Sequence, residues 1–305
     1  MSLTAKAVEK HEDRVQRLKL AAVPYLLLLP AMLALAGISL YPTIDGIIAS
    51  LHRFRYGLDQ GFNGVDNYAD VYGDHVFWHA ILTTVLFVVV AVAIETLLGL
   101  LLALVVAREL RFAGLIRVAL ILPMTIAPVV VGVIWRLLYA SDIGVVNPLF
   151  ELFGFEAPNV LAHPLTAFFG LVAVDVWEWT PLLFLIILAG LHSLPQDPIE
   201  AARVDGASRL QTFFHHTLPL LWPVLLVGVV LRTIDAVGTF DQIYVLTKGG
   251  PGTATQLISI YAYNTAFLFN QYGPAMAMLI SLLACLLVLM VAAVRLMRRS
   301  GEIGE

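Results

Sequence analysis

The sequence predicts an all-α integral membrane protein of about six transmembrane helices, with a helical cytoplasmic loop between the fourth and the fifth. Three observations carry this. The 305 residues are 60% hydrophobic and only 13% charged, whereas a soluble domain is about half apolar and a quarter charged. Mean hydropathy is +0.87. The apolar residues gather in stretches of roughly 20, the length that crosses a bilayer as a helix. They do not alternate with polar residues, which excludes barrel strands. In lipid only helices and closed barrels satisfy their own backbone groups.

Six segments follow in order: Leu20–Tyr41, Trp78–Ala107, Gly114–Tyr139, Pro164–Leu191, Leu220–Leu246 and Pro274–Met297. The first follows a polar stretch, Lys6 to Lys19, and lacks a small-residue cleavage site, so it reads as a retained helix rather than a secretory signal. Pro123 and Pro128 in the third segment, and Pro181 in the fourth, are expected to bend their helices. The longest polar connections are Pro42–Phe77, Ala140–His163, His192–Pro219 and Thr247–Gly273. Within the second of these, Asn147–Phe155 reads as a short amphipathic surface helix. The lone cysteine, Cys285, lies in the last apolar segment, so no internal disulfide is possible and no cysteine cluster offers a metal site.

Basic residues set the orientation. Most of the 18 lysines and arginines fall on one side if six helices alternate. They are Lys6, Lys10, Arg14, Arg17 and Lys19, then Arg108, Arg111 and Arg117, then Arg203 and Arg209, and finally Arg295, Arg298 and Arg299. Both termini are therefore expected in the cytoplasm. The opposite side carries acids, including Asp59, Asp66, Asp70, Asp74, Asp142, Glu151 and Glu156. The chain divides into a cytoplasmic segment 1–19, a single transmembrane domain 20–297 and a cytoplasmic tail 298–305.

The loop His192–Pro219 has the most specific pattern. Pro198, Asp197 and Glu200 suit a helix start, where anions meet the positive end of the dipole. Ile199 to Val204 suits a short helix, Gly206 a turn, and a second helical piece runs on from Ser208. The result is a knuckle on the basic side, with small residues at its tip. The chain contains no G-x-x-x-x-G-K-[ST] phosphate loop, so if ATP drives it, another chain hydrolyses the ATP.

The loop reads Glu200-Ala201-Ala202, Asp205-Gly206-Ala207, then Leu218-Pro219. At these residues the chain resembles the inner-membrane permeases of binding-protein-dependent ABC importers. Other stretches resemble the carbohydrate-uptake, maltose-type branch: Gly64-Val65-Asp66-Asn67-Tyr68, Leu122-Pro123, Gly144 to Asn147, Trp177 to Pro181, Leu188 to Leu191, and Phe240 to Gly252. The likeness extends over nearly all of the chain past residue 20. Lys248 departs from it, standing where a small residue is more usual.

The resemblance implies that the knuckle is a coupling helix docking on an ATPase subunit through Glu200, Ala201, Ala202, Asp205, Gly206 and Ala207. It implies a second homologous permease, two ATPase subunits that hold ATP and Mg, and an extracytoplasmic solute-binding protein. It also implies location in a bacterial or archaeal inner membrane among lipids, no cofactor on this chain, no nucleic-acid partner and no catalysis by this subunit. The imported solute would be a sugar or sugar-like molecule.

Glu95, Asp175, Glu178, Arg232 and Asp235 lie within apolar segments. Each would cost roughly 2.5–3.5 kcal/mol facing lipid at a helix centre, so they should face protein, water or one another. Gly228, Arg232, Asp235, Thr239 and Gln242 recur at helical spacing on one face of the fifth segment. Asp175, Glu178 and Trp179 share a face of the fourth. Two readings stay open: a water-accessible path with a gating role for these residues, or structural ion pairs such as Arg232 with Asp235 or with an acid of the fourth helix. Glu95 precedes a small-residue stripe, Gly99, Ala103 and Ala107, that favours close helix packing; Glu95 itself either meets a buried polar contact or lines a cavity. Trp177, Trp179, Tyr244, Tyr261 and Tyr263 suit an interfacial belt, with stacking on sugar rings as the alternative.

The intramembrane acids motivate a competing function, an ion- or proton-coupled secondary transporter. Such machines often carry inverted repeats, and none is visible here. His215-His216 lacks the second ligand cluster that an intramembrane metalloenzyme needs.

Overall fold

A computed structural model describes residues 25–55, 57–107, 113–152 and 159–302, together with Val23 and Gly154. The segment 1–19 with its basic residues, Arg108, Arg111, Glu156 and the last three residues of the tail lie outside the described residues.

Among the described residues five helices are long and apolar enough to cross a membrane, or six if a bent pair is counted as one span. The first, α1 (Tyr25–Ser50), extends past the predicted end at Tyr41 through Pro42. A proline inside a helix lacks a donor and clashes with the preceding turn. Here a π turn at Ala36–Leu40 precedes it, and the wider turn accommodates the ring. The connection therefore starts at Leu51, not Pro42. It opens with an antiparallel hairpin, β1 (His52–Arg55) and β2 (Leu58–Phe62), in which His52 faces Phe62 and Arg55 faces Leu58. Helix α2 (Asp66–Gly73) follows.

Asn67, inside the stretch that carries the family likeness, clamps this region. Its Nδ2 donates to the carbonyls of Ser50 at 2.7 Å and His52 at 2.9 Å. It ties the end of α1 to the hairpin, satisfying carbonyls that a helix terminus leaves free.

Helix α3 (His75–Val106) is capped by Asp74, whose carboxylate accepts from Val76 N. At 1.5 Å per residue it is about 48 Å long. It packs along α7 (Pro164–Ser193). The contact closes at Gly99, where an added Cβ would lie 3.0 Å from the backbone nitrogen of Phe184. Ala103, also in the stripe, is fully buried; Ala107 is exposed.

The third predicted span is not one helix. It divides into α4 (Ala113–Ile121), a 3₁₀ turn at Leu122–Thr125, and α5 (Pro128–Leu138). The two arms meet at 96°. A residue before proline is pushed out of the helical region, and Ala127 is extended with ψ 135°. Pro128 then suits the first position of the next helix. Helix α6 (Val146–Leu152) is the short surface helix expected in the following connection. Pro181 sits inside α7 without ending it.

Helix α8 (Asp197–Val204) forms the first arm of the knuckle. Its second arm is not separate: α9 (Arg209–Val237) runs from the knuckle, through a π turn at Phe213–Thr217, into the fifth span. That span ends at Val237 rather than at Leu246. The chain breaks at Gly238 to Phe240 and restarts as α10 (Asp241–Leu246). Helix α11 (Ile258–Tyr263) and α12 (Tyr272–Glu302) complete the fold.

The largest core joins α3, α5, α7, α10 and α11 through residues such as Phe87, Val131, Leu171, Ile243 and Ile260. Helix α7 is its axis: 67% of its most apolar stretch is buried, against none for α1. Lys248 follows α10 with φ 53°, the left-handed region that any β-carbon disfavours, so glycine would fit this position with least strain.

Candidate functional site

Where α3, α7 and α9 cross, the structure gathers intramembrane charges into one cluster. Arg232 of α9 is fully buried. Its Nε donates to Glu95 Oε2 at 2.9 Å and its Nη2 to Glu95 Oε1 at 3.2 Å, a two-pronged pair with α3. Nη2 also donates to Asp175 of α7. Nη1 donates to Asp235, one turn along α9, at 2.9 Å. Four of the five guanidinium N–H groups thus have carboxylate acceptors. The ring of Trp179 lies 5.1 Å from the guanidinium carbon, within cation–π range.

Both predicted ion pairs of Arg232 are present, with Asp235 and with an acid of the fourth span. Glu95 completes them and belongs with the site. Its buried-contact reading is the one the structure selects. Glu95 and Asp175, acids in apolar helices with no lysine or arginine on their own helix, were the available signal. Asp235 differs from the others, because its side chain is 49% exposed. Glu178 is buried, and its Oε2 has no hydrogen-bond partner.

The single polar face expected across the fifth segment holds only for Gly228, Arg232 and Asp235. Thr239 and Gln242 lie past the helix end. Thr239 sits in the break, where its carbonyl accepts from Ser259 Oγ at 2.7 Å. Gln242 returns to the cluster because α10 turns back beneath it, and its Nε2 donates to Asp175 Oδ1 at 2.7 Å. Tertiary folding, not helical periodicity, brings Gln242 to the site.

Beside the cluster is a recess of about 380 Å³, walled by Pro128, Trp179, Asp235, Thr239, Phe240, Asp241 and Gln242, with Ile234 and Gly238. The breaks before α5 and after α9 create it. Each places a helix start, Pro128 and Asp241, at its edge. Trp179, Asp235 and Gln242 belong to both the recess and the cluster. Phe240 stacks on Tyr244 with ring centres 5.2 Å apart, and both meet Tyr263. Tyr261 stands apart: it donates to Asp74 at the start of α3. Trp177 packs edge-on against Trp135.

At the knuckle, α8 starts with Asp197 and Glu200 in its first turn. Gly206 has φ 85° and nothing within 4 Å of where a Cβ would sit. A left-handed turn at the open tip is where glycine costs least. Ser208 and Gln211 form a reciprocal capping box that starts α9. Glu200, Ala201, Asp205 and Gly206 are exposed, Ala207 is half-buried and Ala202 is buried. Beside them Val204 is 87% exposed and Leu210 69% exposed. His215 bonds Gln211 O through Nδ1, and among the described residues no group of side chains is arranged to hold a metal ion.

Comparisons with known proteins agree with this architecture. The sequence profile described as "Binding-protein-dependent transport system inner membrane component" matches residues 95–301. The trehalose/maltose transport system permease protein MalF of Thermococcus litoralis is 40% identical over 270 residues, which is 88% of this chain and 90% of the relative. The trehalose transport system permease protein SugA of Mycobacterium tuberculosis is 32% identical over 92% of this chain and 90% of its own length. Among solved structures, a bacterial ABC transporter that imports the acidic polysaccharide alginate aligns with TM-score 0.81 and 23% identity, covering 94% of this chain and 99% of that one. That likeness shows the fold. The chain therefore belongs to the binding-protein-dependent transport system inner membrane components, the membrane permeases of ABC transporters.

Proposed function

We propose that the chain is one half of the translocation path of an ATP-driven importer for a sugar or sugar-like solute. The observation that carries the reading is the recess. It combines aromatic faces, Trp179 and Phe240, with the acceptors Asp235, Asp241 and Gln242 at the crossing of the most buried helices. Aromatic faces bury the apolar side of a sugar ring, and acceptors take its hydroxyls. The permeases named for trehalose and maltose among the relatives support the same solute class.

A second homologous permease completes the path, and an extracytoplasmic binding protein delivers solute to the acidic outer loops. A related alginate importer was solved with its periplasmic protein bound. Each permease holds one ATPase subunit through its knuckle, and ATP and Mg reside on that partner. Residues Glu200 to Ala207 form the docking tip. Exposed Val204 and Leu210 fit an apolar groove, and Gly206 permits close approach. Both termini face the cytoplasm. The Arg232 cluster holds α3, α7 and α9 in one access state, and ATP binding and hydrolysis on the partner alternate that state with its opposite.

The test is capture of the tagged chain from its native membranes, followed by reconstitution into vesicles. An ATPase and a second permease should come with it, and labelled maltose or trehalose should accumulate only with ATP and binding protein. Single cysteines at Asp70 and Ser208 should be labelled from outside and inside respectively. Uptake driven by a proton gradient without ATP would replace this reading with secondary transport, and outside labelling at Ser208 would remove the docking role.

A further inference from the structure

Gln242 stands between the recess and the charge cluster, and its two ends are treated differently. The residue is fully buried. Its Nε2 donates to Asp175 Oδ1 at 2.7 Å. A carboxylate only accepts, so the nitrogen must face Asp175 and the orientation of the carboxamide is determined. The other end, Oε1, is closed to solvent and has no hydrogen-bond partner. The backbone here is held tightly: a Cβ at Gly132 would lie 2.9 Å from the carbonyl oxygen of Gln242, so α5 and α10 are in main-chain contact. Gln242 is also part of the recess wall with Trp179, Asp235 and Phe240. A buried acceptor without a partner raises the free energy of the state that contains it.

We propose that Gln242 is the residue through which occupancy of the recess reaches the Arg232 cluster, and that it selects a neutral polyhydroxylated solute. The proposal rests on the reading of the recess as part of the solute path. Oε1 lies behind the recess wall, and a shift of that wall that admits a solute hydroxyl gives Oε1 its missing partner. A carboxamide engaged at both ends holds Asp175 more firmly, because hydrogen bonds in a chain polarise one another. Asp175 is bonded to Arg232, which also holds Glu95. One hydroxyl in the recess therefore biases the crossing of α3, α7 and α9. A ligand shifts such an equilibrium only by binding its two states differently, and the unpartnered oxygen provides that difference. The solute class follows from the wall. Asp235 and Asp241 offer acceptors at the wall and Gln242 Oε1 lies behind it, while Arg232 is fully buried and committed to three carboxylates. Hydroxyl donors fit this wall, and a phosphate or carboxylate on the solute is repelled.

The experiment uses the complex captured through this chain and reconstituted in vesicles, with maltose and trehalose as probes. It reads the half-saturating sugar concentration for ATP-driven uptake. It also reads the ratio of ATPase rates with loaded and with empty binding protein. Gln242→Leu removes both ends of the carboxamide, and Gln242→Asn keeps them one methylene short. Gln242→Leu should raise half-saturation tenfold or more and bring the ATPase ratio close to one, with Gln242→Asn between it and the wild type. A purely packing role would lower assembly or melting temperature but leave both readouts of the assembled complex unchanged. If Gln242→Leu does not assemble, Gln242→Asn decides, and wild-type values in both readouts overturn the proposal. Wild-type vesicles that take up neither sugar would sink the sugar reading. Gln242 is then judged on the ATPase ratio, measured with binding protein carrying its native load. Equal affinity for maltose and for maltose 6-phosphate would overturn the selection for neutral solutes.

Discussion

The Arg232 cluster and the knuckle reverse each other's chemistry. The cluster is charged, buried in the apolar spans and closed: Arg232, Glu95 and Asp175 are fully buried. The knuckle is open and exposes apolar side chains beside its charges, with Val204 87% exposed and Leu210 69% exposed. In a soluble domain the charges would be outside and the valine within. The difference teaches where each region finds its partner. Water competes little for a guanidinium buried among spans, and here three helices of the same chain supply its partners. An exposed valine and leucine next to an unobstructed glycine are unmatched within the chain, and the proposed ATPase partner would cover them.

This contrast can be broken in three places. The largest effect is expected from Arg232→Leu, which strands Glu95 and Asp175 without a cation. Losing one partner of a buried pair costs roughly 3–5 kcal/mol. The variant should lose uptake and melt well below the wild type in detergent. Adding Glu95→Gln and Asp175→Asn should recover much of the melting temperature but not transport. A single Arg232→Leu variant with wild-type melting would show that the cluster does not hold the crossing.

Gly206→Arg should act in the opposite manner. It places a long side chain at an exposed φ of 85°, a conformation that costs an ordinary residue about 1–2 kcal/mol. Because the tip packs against nothing in this chain, insertion should be unchanged and melting should fall by only several degrees. Co-purified ATPase and transport should fall together, and normal ATPase content would remove the docking role of the tip. The smallest effect is expected from Asp235→Asn. Its carboxylate is 49% exposed, and a half-exposed pair is worth about 1 kcal/mol or less. Melting should shift by only a few degrees. A change in solute preference without loss of ATP coupling would assign Asp235 to the recess rather than to the lock.

Much of this architecture is legible in the sequence because lipid imposes few choices. A run such as Trp78–Ala107 has no stable alternative to a helix, and α3 occupies it with ends shifted by only a few residues. The bend between α4 and α5 was likewise signalled by Pro123 and Pro128, although its 96° angle was not. Spans with a break inside an apolar run were harder. Hydropathy continues smoothly from Leu220 to Leu246, while the backbone stops at Val237 and restarts at Asp241. Composition does not register a turn that is stabilised by contacts, here the packing of α10 on α5.

That the charges within the spans must face protein, water or one another follows from the sequence, since a lone charge in hydrocarbon is costly wherever it lies. Local signals likewise predict a short helix and turn over residues 197–207: acids in the first turn and a glycine at the tip. Which charges pair follows from how the helices pack. Glu95 is 137 positions from Arg232 and Asp175 is 57. Distances of that kind along the chain are closed by the crossing of α3, α7 and α9. The same holds for Gln242, whose place beside Asp175 follows from the direction α10 takes after the break. Helical periodicity relates residues a few positions apart, whereas partners on different helices meet only after the helices have packed.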